Sequence, residues 1–141
     1  MIQGMAHSAV TVSDMTESIR FYTQALGFRK AFSIRHPDTG EPWIEYLNVC
    51  SGQFVELFYG GSEEQPWNGS VIGFNHLCFQ VDDVHASVRM VREAGYPIDS
   101  EPVLGTDGNW QAWIRDPNGI RIELMQIMPG SPQSRFDKTE N

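Results

Sequence analysis

The first half of the chain alternates hydrophobic and polar positions over short stretches, with one stretch of helical spacing among them. Residues 7–12 alternate with the period of a strand. Apolar residues then recur at helical spacing between Asp14, which is a favourable helix N-cap, and Gly27, which favours the end of a helix. Three strand-like segments follow, around residues 32–35, 43–49 and 53–59. The predicted order is β-α-β-β-β.

The second half of the chain repeats this order. At an offset of 69 residues, six of the nineteen positions in 7–25 are identical to positions in 76–94, where chance gives about one. At an offset of 67, Glu56 matches Glu123. We predict an α+β fold of two tandem β-α-β-β-β modules. The predicted segments are a first module over 1–60, a linker over 61–73, a second module over 74–128 and a flexible tail over 129–141.

Strand parity places four side chains on the faces that point away from the predicted helices. His7 and His76 lie on the polar faces of the first strands, and Glu56 and Glu123 lie opposite the apolar faces of the last strands. A buried carboxylate is costly unless it is paired or bound to a cation. Imidazole and carboxylate are both ligands of divalent metals. Each residue alone fits an ordinary role, a hydrogen-bonded histidine or a solvated glutamate on a strand. Their equivalent positions in the repeat favour instead one metal site with four ligands.

The composition narrows the classes of partner. Ten Lys and Arg against eighteen Asp and Glu give a net charge of −8, which repels nucleic acid and anionic membrane surfaces. No apolar run approaches the roughly 20 residues of a membrane span. Two cysteines, Cys50 and Cys78, form no disulfide framework, and we expect Cys78 to be a small buried hydrophobic residue. We expect a cytoplasmic protein with neither nucleic-acid nor membrane partners.

Four segments of the chain resemble one family. They are the helix sequence Ser-Ile-Arg-Phe-Tyr-Thr-Gln-Ala-Leu-Gly-Phe, the Phe-Val-Glu-Leu strand, the Gly-Phe-Asn-His-Leu start of the second module and the closing Asp-Pro-Asn-Gly-Ile-Arg-Ile-Glu-Leu. It is the vicinal oxygen chelate superfamily of glyoxalase I, bleomycin-resistance proteins and extradiol dioxygenases, and the resemblance covers about residues 5–126. It implies mixed sheets that curve around a central cleft. It also implies a metal held by His7, Glu56, His76 and Glu123, and a homodimer.

The number of ligands indicates the chemistry. A six-coordinate cation held by four side chains keeps two positions for adjacent oxygens of a small substrate, while one glutamate carries a proton between neighbouring carbons. This is the glyoxalase I pattern, a lyase, with Glu123 and Glu56 as the catalytic candidates. We favour Glu123, because Arg121 shares its face and can attract an anionic substrate. The metal expected is nickel, zinc, cobalt, manganese or iron.

The predicted substrate-binding residues lie on the same faces as the ligands. They are Phe54, Phe58, Arg121, Trp113 and Thr11. Thr11 and Gly60 stand where bacterial glyoxalase I proteins carry Arg and Asn for glutathione, so the resemblance argues against glutathione dependence. Two alternatives remain. One is a protein that sequesters a cationic drug between aromatic side chains such as Trp43, Trp67 and Trp110. The other is a metal-dependent dioxygenase, which a fourth ligand at Glu56 disfavours.

Overall fold

A computed structural model of the chain describes residues 1–64, 66, 68–70 and 72–136. These residues form two units, Met1–Gln65 and Pro66–Asn141, and the boundary falls inside the predicted linker 61–73. Three linker residues, Gln65, Trp67 and Val71, lie outside the described residues, as do residues 137–141 of the predicted tail. Each unit contains one four-stranded mixed sheet. The α+β class and the doubling of the fold are therefore confirmed.

The first unit is a β-α-β-β-β module. Its sheet has the order β1-β4-β3-β2, with β1 parallel to β4 and the other pairs antiparallel. Apolar residues of β1, β3 and β4 form its core with the helix, among them Val10, Leu47 and Leu57. The elements are β1 (His7–Thr11), α1 (Met15–Arg20), a π-helical turn (Phe21–Ala25), β2 (Arg29–Arg35), β3 (Pro42–Cys50) and β4 (Gln53–Phe58).

Helix α1 begins where the sequence predicts, but its buried face matches the apolar residues at helical spacing only in part. The Asp14 carboxylate accepts a hydrogen bond from the Glu17 backbone N–H at 3.0 Å and so caps the helix. Of the apolar residues at helical spacing, Met15 and Tyr22 are buried, whereas Ile19 and Leu26 are only half-buried. Phe21 and Ala25 are fully buried as well. The wider π-helical turn rotates the positions after it relative to an α-helix, which accounts for the burial of Ala25 instead of Leu26.

The second unit repeats the topology, with strand order β5-β8-β7-β6. The apolar residues that recur at helical spacing in its long helix, Val84, Val88 and Val91, are all buried. Its elements are β5 (Leu77–Gln80), α2 (Val84–Glu93), β6 (Ser100–Leu104), β7 (Trp110–Arg115), β8 (Arg121–Gln126) and α3 (Pro132–Phe136). Within the described part of the chain, no helix has both the length and the apolar character that a membrane crossing requires.

Part of the segment expected to be a flexible tail packs on the second unit. Residues 132–136 form α3, and Ser131 before it is buried. The buried Asn109 side chain accepts a hydrogen bond from the Met128 backbone N–H at 2.9 Å and donates one to Gln133 Oε1 at 3.3 Å. The segment from Met128 to Gln133 is thus attached through Asn109, a residue whose sequence neighbourhood gives no sign of this contact.

Candidate functional site

The first unit brings His7 and Glu56 together. Parallel pairing of β1 with β4 sets Ala9 opposite Glu56, and strand parity then puts His7 on the same face as the carboxylate. His7 Nδ1 lies 3.1 Å from Glu56 Oε1. Glu56 is buried, with 4% of its surface exposed, whereas the His7 side chain is half exposed. The pair therefore joins a buried acid to a base that reaches the surface of its unit.

The Glu56 carboxylate has one strong donor and one unsatisfied oxygen. Tyr46 lies opposite Glu56 in the β3–β4 pairing, and its hydroxyl hydrogen-bonds to the carboxylate, which raises the pKa of Tyr46. Glu56 Oε1 is buried and makes no hydrogen bond, although His7 Nδ1 is close enough for an ion pair. A buried carboxylate oxygen without a donor is costly. The residues thus fit a bound cation.

Aromatic side chains surround this first pair. The Phe32 ring stacks on Tyr46 with 4.3 Å between ring centroids, and Phe54 contacts both rings edge-on at about 6 Å. Phe32 is nearly half exposed, so the cluster presents an apolar surface. Of the other predicted contact residues, Thr11 pairs with Phe58 at the far end of the same strands. The structure therefore brings Phe54 next to the pair and leaves Thr11 and Phe58 further along the face.

The second unit brings His76 and Glu123 together. His76 directly precedes β5, and Glu123 on β8 lies opposite Cys78. His76 Nε2 is 3.1 Å from Glu123 Oε2, and Glu123 is buried with 5% of its surface exposed. The same imidazole approaches Asn75, whose Oδ1 lies 2.8 Å from Nδ1. Both ring nitrogens of His76 thus have a polar partner within the unit.

Two of the predicted substrate-binding residues pack beside His76. The Trp113 ring meets the imidazole edge-on, with 4.8 Å between centroids. The Arg121 guanidinium lies 4.4 Å above the Trp113 ring and donates a hydrogen bond from Nη1 to Asn75 Oδ1 at 3.3 Å. Stacking and hydrogen bonding together hold the guanidinium beside the His–Glu pair.

The two pairs are equivalent in the repeat, but their surroundings differ. Tyr46 lies opposite Glu56 just as Trp113 lies opposite Glu123. Different residue types also occupy three further pairs of equivalent positions, which are Ala6 and Asn75, Ala9 and Cys78, and Phe54 and Arg121. The first pair therefore lies among aromatic rings with its carboxylate held by a phenol. The second lies among polar groups with its imidazole held by an amide.

Cys78 is not the small buried residue that the sequence suggests. It is exposed at the surface of its unit, because β5 turns this position to the same face as His76. Desolvation and the adjacent Glu123 carboxylate, to which the thiol hydrogen-bonds, raise the pKa of Cys78 to about 12. The thiol therefore stays protonated at neutral pH, and a protonated thiol is a poor nucleophile.

Each unit by itself provides two of the four predicted ligands. Throughout the described residues, no group of three or more His, Cys, Asp or Glu side chains is arranged as a metal site. Two carboxylates and two neutral imidazoles match the charge of one divalent cation, and their oxygen and nitrogen atoms are suitable ligands. Sequence reasoning missed Tyr46 and Asn75. Asn75 directly precedes His76, but the contacts of Tyr46 depend on strand register.

Comparisons with known proteins agree with this architecture. A probable lactoylglutathione lyase of Vibrio cholerae is 31% identical over 124 residues, which are 85% of this chain and 88% of the relative. An ethylmalonyl-CoA/methylmalonyl-CoA epimerase of Cereibacter sphaeroides is 27% identical over 136 residues, 90% of this chain and 100% of that protein.

A solved structure and a family model complete the comparison. The crystal structure of SMU.1112c superposes with a TM-score of 0.76 at 26% identity, covering 89% of this chain and 100% of the other. The model of the Glyoxalase/Bleomycin resistance protein/Dioxygenase superfamily matches residues 4–124, which include both His–Glu pairs. The chain therefore belongs to the Glyoxalase/Bleomycin resistance protein/Dioxygenase superfamily.

Proposed function

We propose that this protein is a metal-dependent lyase or isomerase of the glyoxalase type. Its substrate is a small molecule that chelates the metal through two adjacent oxygens. The observation that carries the proposal is the repeated pair of a histidine and a buried glutamate, each at 3.1 Å, with one buried Glu56 oxygen lacking a hydrogen bond. A buried acid–base pair occurring twice at equivalent positions is better explained by a shared ligand than by stability, because each buried carboxylate carries a desolvation cost.

The proposed ligands are His7, Glu56, His76 and Glu123. The metal is one divalent ion of the group nickel, zinc, cobalt, manganese and iron. When bound, it polarises a carbonyl of the substrate and stabilises the negative charge that develops when a neighbouring proton leaves. The chain itself has to move that proton, and its only carboxylates at the two pairs are Glu56 and Glu123.

The contacts of the two glutamates favour Glu123 as the proton carrier. Glu56 accepts a hydrogen bond from the phenol of Tyr46, which restrains its side chain. Glu123 contacts His76 and the Cys78 thiol, and a thiol is a weak donor. Arg121, held beside this pair, attracts an anionic group of the substrate to the same glutamate. Glu56 then serves mainly as a ligand and as the second catalytic candidate.

The proposed substrate contacts follow from the surroundings of the two pairs. Arg121 and Trp113 contact the polar part of the substrate, and Phe54 contacts its apolar part. Phe58 and Thr11 line the face further from the pair. Thr11 and Gly60 argue against a glutathione moiety, whereas the lactoylglutathione lyase relative argues for a thiol adduct. Hemithioacetals of several thiols therefore belong in the first panel of substrates.

A second candidate is an epimerase that moves a proton next to a thioester carbonyl. It is favoured by the similarity to an ethylmalonyl-CoA/methylmalonyl-CoA epimerase at 27% identity. Glu123 would have the same role in both reactions, because each requires the removal and return of a proton beside a carbonyl. The two functions differ in the substrate alone, so one panel that contains both 2-oxo compounds and acyl thioesters distinguishes them.

The test is solvent deuterium exchange at the carbon next to the carbonyl, followed by proton NMR with metal-loaded protein. We expect exchange on at least one compound of the panel and a loss of about 10²- to 10⁴-fold in Glu123→Gln. Glu45→Gln is the matched control, because Glu45 is as buried as Glu123 but lies in the sheet of the first unit, on the face opposite to Glu56, and it should keep the rate. Absence of exchange on every compound, with metal-independent binding of a cationic aromatic drug, would replace this proposal by sequestration.

A further inference from the structure

The side chain of Asn75 links His76 to Arg121. Its Oδ1 lies 2.8 Å from His76 Nδ1 and 3.3 Å from Arg121 Nη1. A guanidinium can only donate hydrogen bonds, so the Asn75 atom that faces it is the amide oxygen and not the nitrogen. The position of Arg121 therefore settles the orientation of the amide, which is otherwise ambiguous.

This orientation decides which imidazole nitrogen carries the proton. The same Oδ1 accepts from His76, so Nδ1 has to be the protonated nitrogen. In a neutral ring, Nε2 then carries the lone pair, and it faces Glu123 Oε2 at 3.1 Å. A lone pair and a carboxylate oxygen repel each other at this distance unless a proton or a cation lies between them.

We infer that Asn75 is a positioning residue that presents His76 Nε2 to the metal. The inference rests on the proposed metal site and adds a residue to it. Trp113 restricts the ring plane through its edge contact, and Arg121 is itself held over Trp113 at 4.4 Å. A hydrogen bond to the second nitrogen of a metal-binding histidine fixes its tautomer and orientation, and losing such a bond typically weakens metal affinity 10- to 100-fold.

The first unit provides a natural comparison. The position equivalent to Asn75 is Ala6, and there it is His7 Nδ1, not Nε2, that lies nearest the carboxylate. Asn75→Ala therefore places alanine directly before His76, as Ala6 already stands directly before His7 in the first unit. Asn75→Asp keeps an acceptor for both neighbours and serves as the conservative variant.

The first readout is the tautomer of His76 in metal-free protein, measured by long-range ¹H–¹⁵N NMR in mildly alkaline buffer, where an ordinary imidazole is neutral. We expect a protonated Nδ1 in the unmodified protein and in Asn75→Asp, and a shift towards a protonated Nε2 in Asn75→Ala. A merely structural role for Asn75 does not move this equilibrium. A protonated Nε2 in the unmodified protein would overturn the inference.

The second readout is the dissociation constant for zinc, measured by competition with a chromophoric chelator. Asn75→Ala should bind zinc about 10- to 100-fold more weakly, and Asn75→Asp should bind it close to the unmodified value. Asn48→Ala is the matched control, because Asn48 also makes several hydrogen bonds but lies in the first unit on β3. It should leave the affinity unchanged.

Failure of the metal site and failure of the Asn75 role give different results. If Glu56→Gln and His76→Ala lose zinc while Asn75→Ala binds it normally, the metal site stands and the role of Asn75 is wrong. If none of the three variants changes zinc binding, the proposed metal site itself is wrong.

Discussion

Removing the hydroxyl of Tyr46 should destabilise the metal-free protein. Tyr46→Phe keeps the ring that stacks on Phe32 and deletes only the donor to Glu56. Glu56 is buried, and its Oε1 already lacks a hydrogen bond. Without the phenol, the carboxylate loses its strongest donor within the unit.

The expected size of the effect follows from these contacts. A hydrogen bond to a charged group contributes roughly 1.5–3 kcal/mol, and a buried acceptor left without a donor carries a similar penalty. Tyr46 is only half-buried, so water can replace part of the lost bond. We therefore take the low end and expect a loss of about 1.5 kcal/mol in the free energy of unfolding. A cation bound to Glu56 should reduce this loss, because it neutralises the carboxylate.

Tyr59→Phe is the matched control. The Tyr59 hydroxyl donates to Glu45 at 3.1 Å, and Glu45 is buried like Glu56. Glu45, however, keeps Ser33 Oγ at 2.5 Å and Lys30 Nζ at 3.0 Å as partners. Both of these partners contact Oε2, so Tyr59→Phe removes the donor to Oε1 while the Lys30 ammonium still balances the charge of the carboxylate. The loss should therefore be below about 1 kcal/mol.

The assay is urea unfolding of the metal-free and metal-loaded proteins, with Glu56→Gln completing a double-mutant cycle. We expect a coupling energy of about 1–2 kcal/mol between Tyr46 and Glu56 in the metal-free protein. Equal losses for Tyr46→Phe and Tyr59→Phe, together with a coupling energy near zero, would refute the reasoning.

Two further predictions concern acid stability and assembly. Burial raises the pKa of Glu45, but hydrogen bonds from Ser33, Lys30 and Tyr59 outweigh it and leave that pKa below its ordinary 4.5. The resulting stabilisation is complete above pH 4.5 and is lost as the pH falls towards the folded-state pKa, so Glu45→Gln should flatten the acid limb of a stability–pH curve. Light scattering should give twice the mass of one chain, because we expect a homodimer whose interface buries more than about 1,200 Å² in total. A monomer at micromolar concentration would contradict the homodimer.

The strand faces could be predicted from the sequence because they depend on local parity. His7 and Glu56 share a face through the two-residue period alone, and the repeat extends this to His76 and Glu123. The π-helical turn Phe21–Ala25 was not predictable from the spacing of apolar residues, because it changes that spacing without a distinctive residue type.

The surroundings of the pairs depend on tertiary contacts that a sequence pattern does not encode. The contact of Tyr46 with Glu56 requires the β3–β4 register, and a shift of one residue would turn the phenol to the opposite face. The link from Asn75 to Arg121 joins side chains 46 positions apart. Cys78 was expected to be buried because free cysteines usually are, but its strand turns it to the face of His76.

The central proposal is that His7, Glu56, His76 and Glu123 are ligands of one divalent metal ion. The direct test is the metal content of protein purified without added metal, measured by mass spectrometry for the unmodified chain, Glu56→Gln and His76→Ala. Since each variant alters a different unit, shared coordination predicts that both lose most of the metal. Unchanged stoichiometry in both variants, or loss in only one of them, would contradict the four-ligand site.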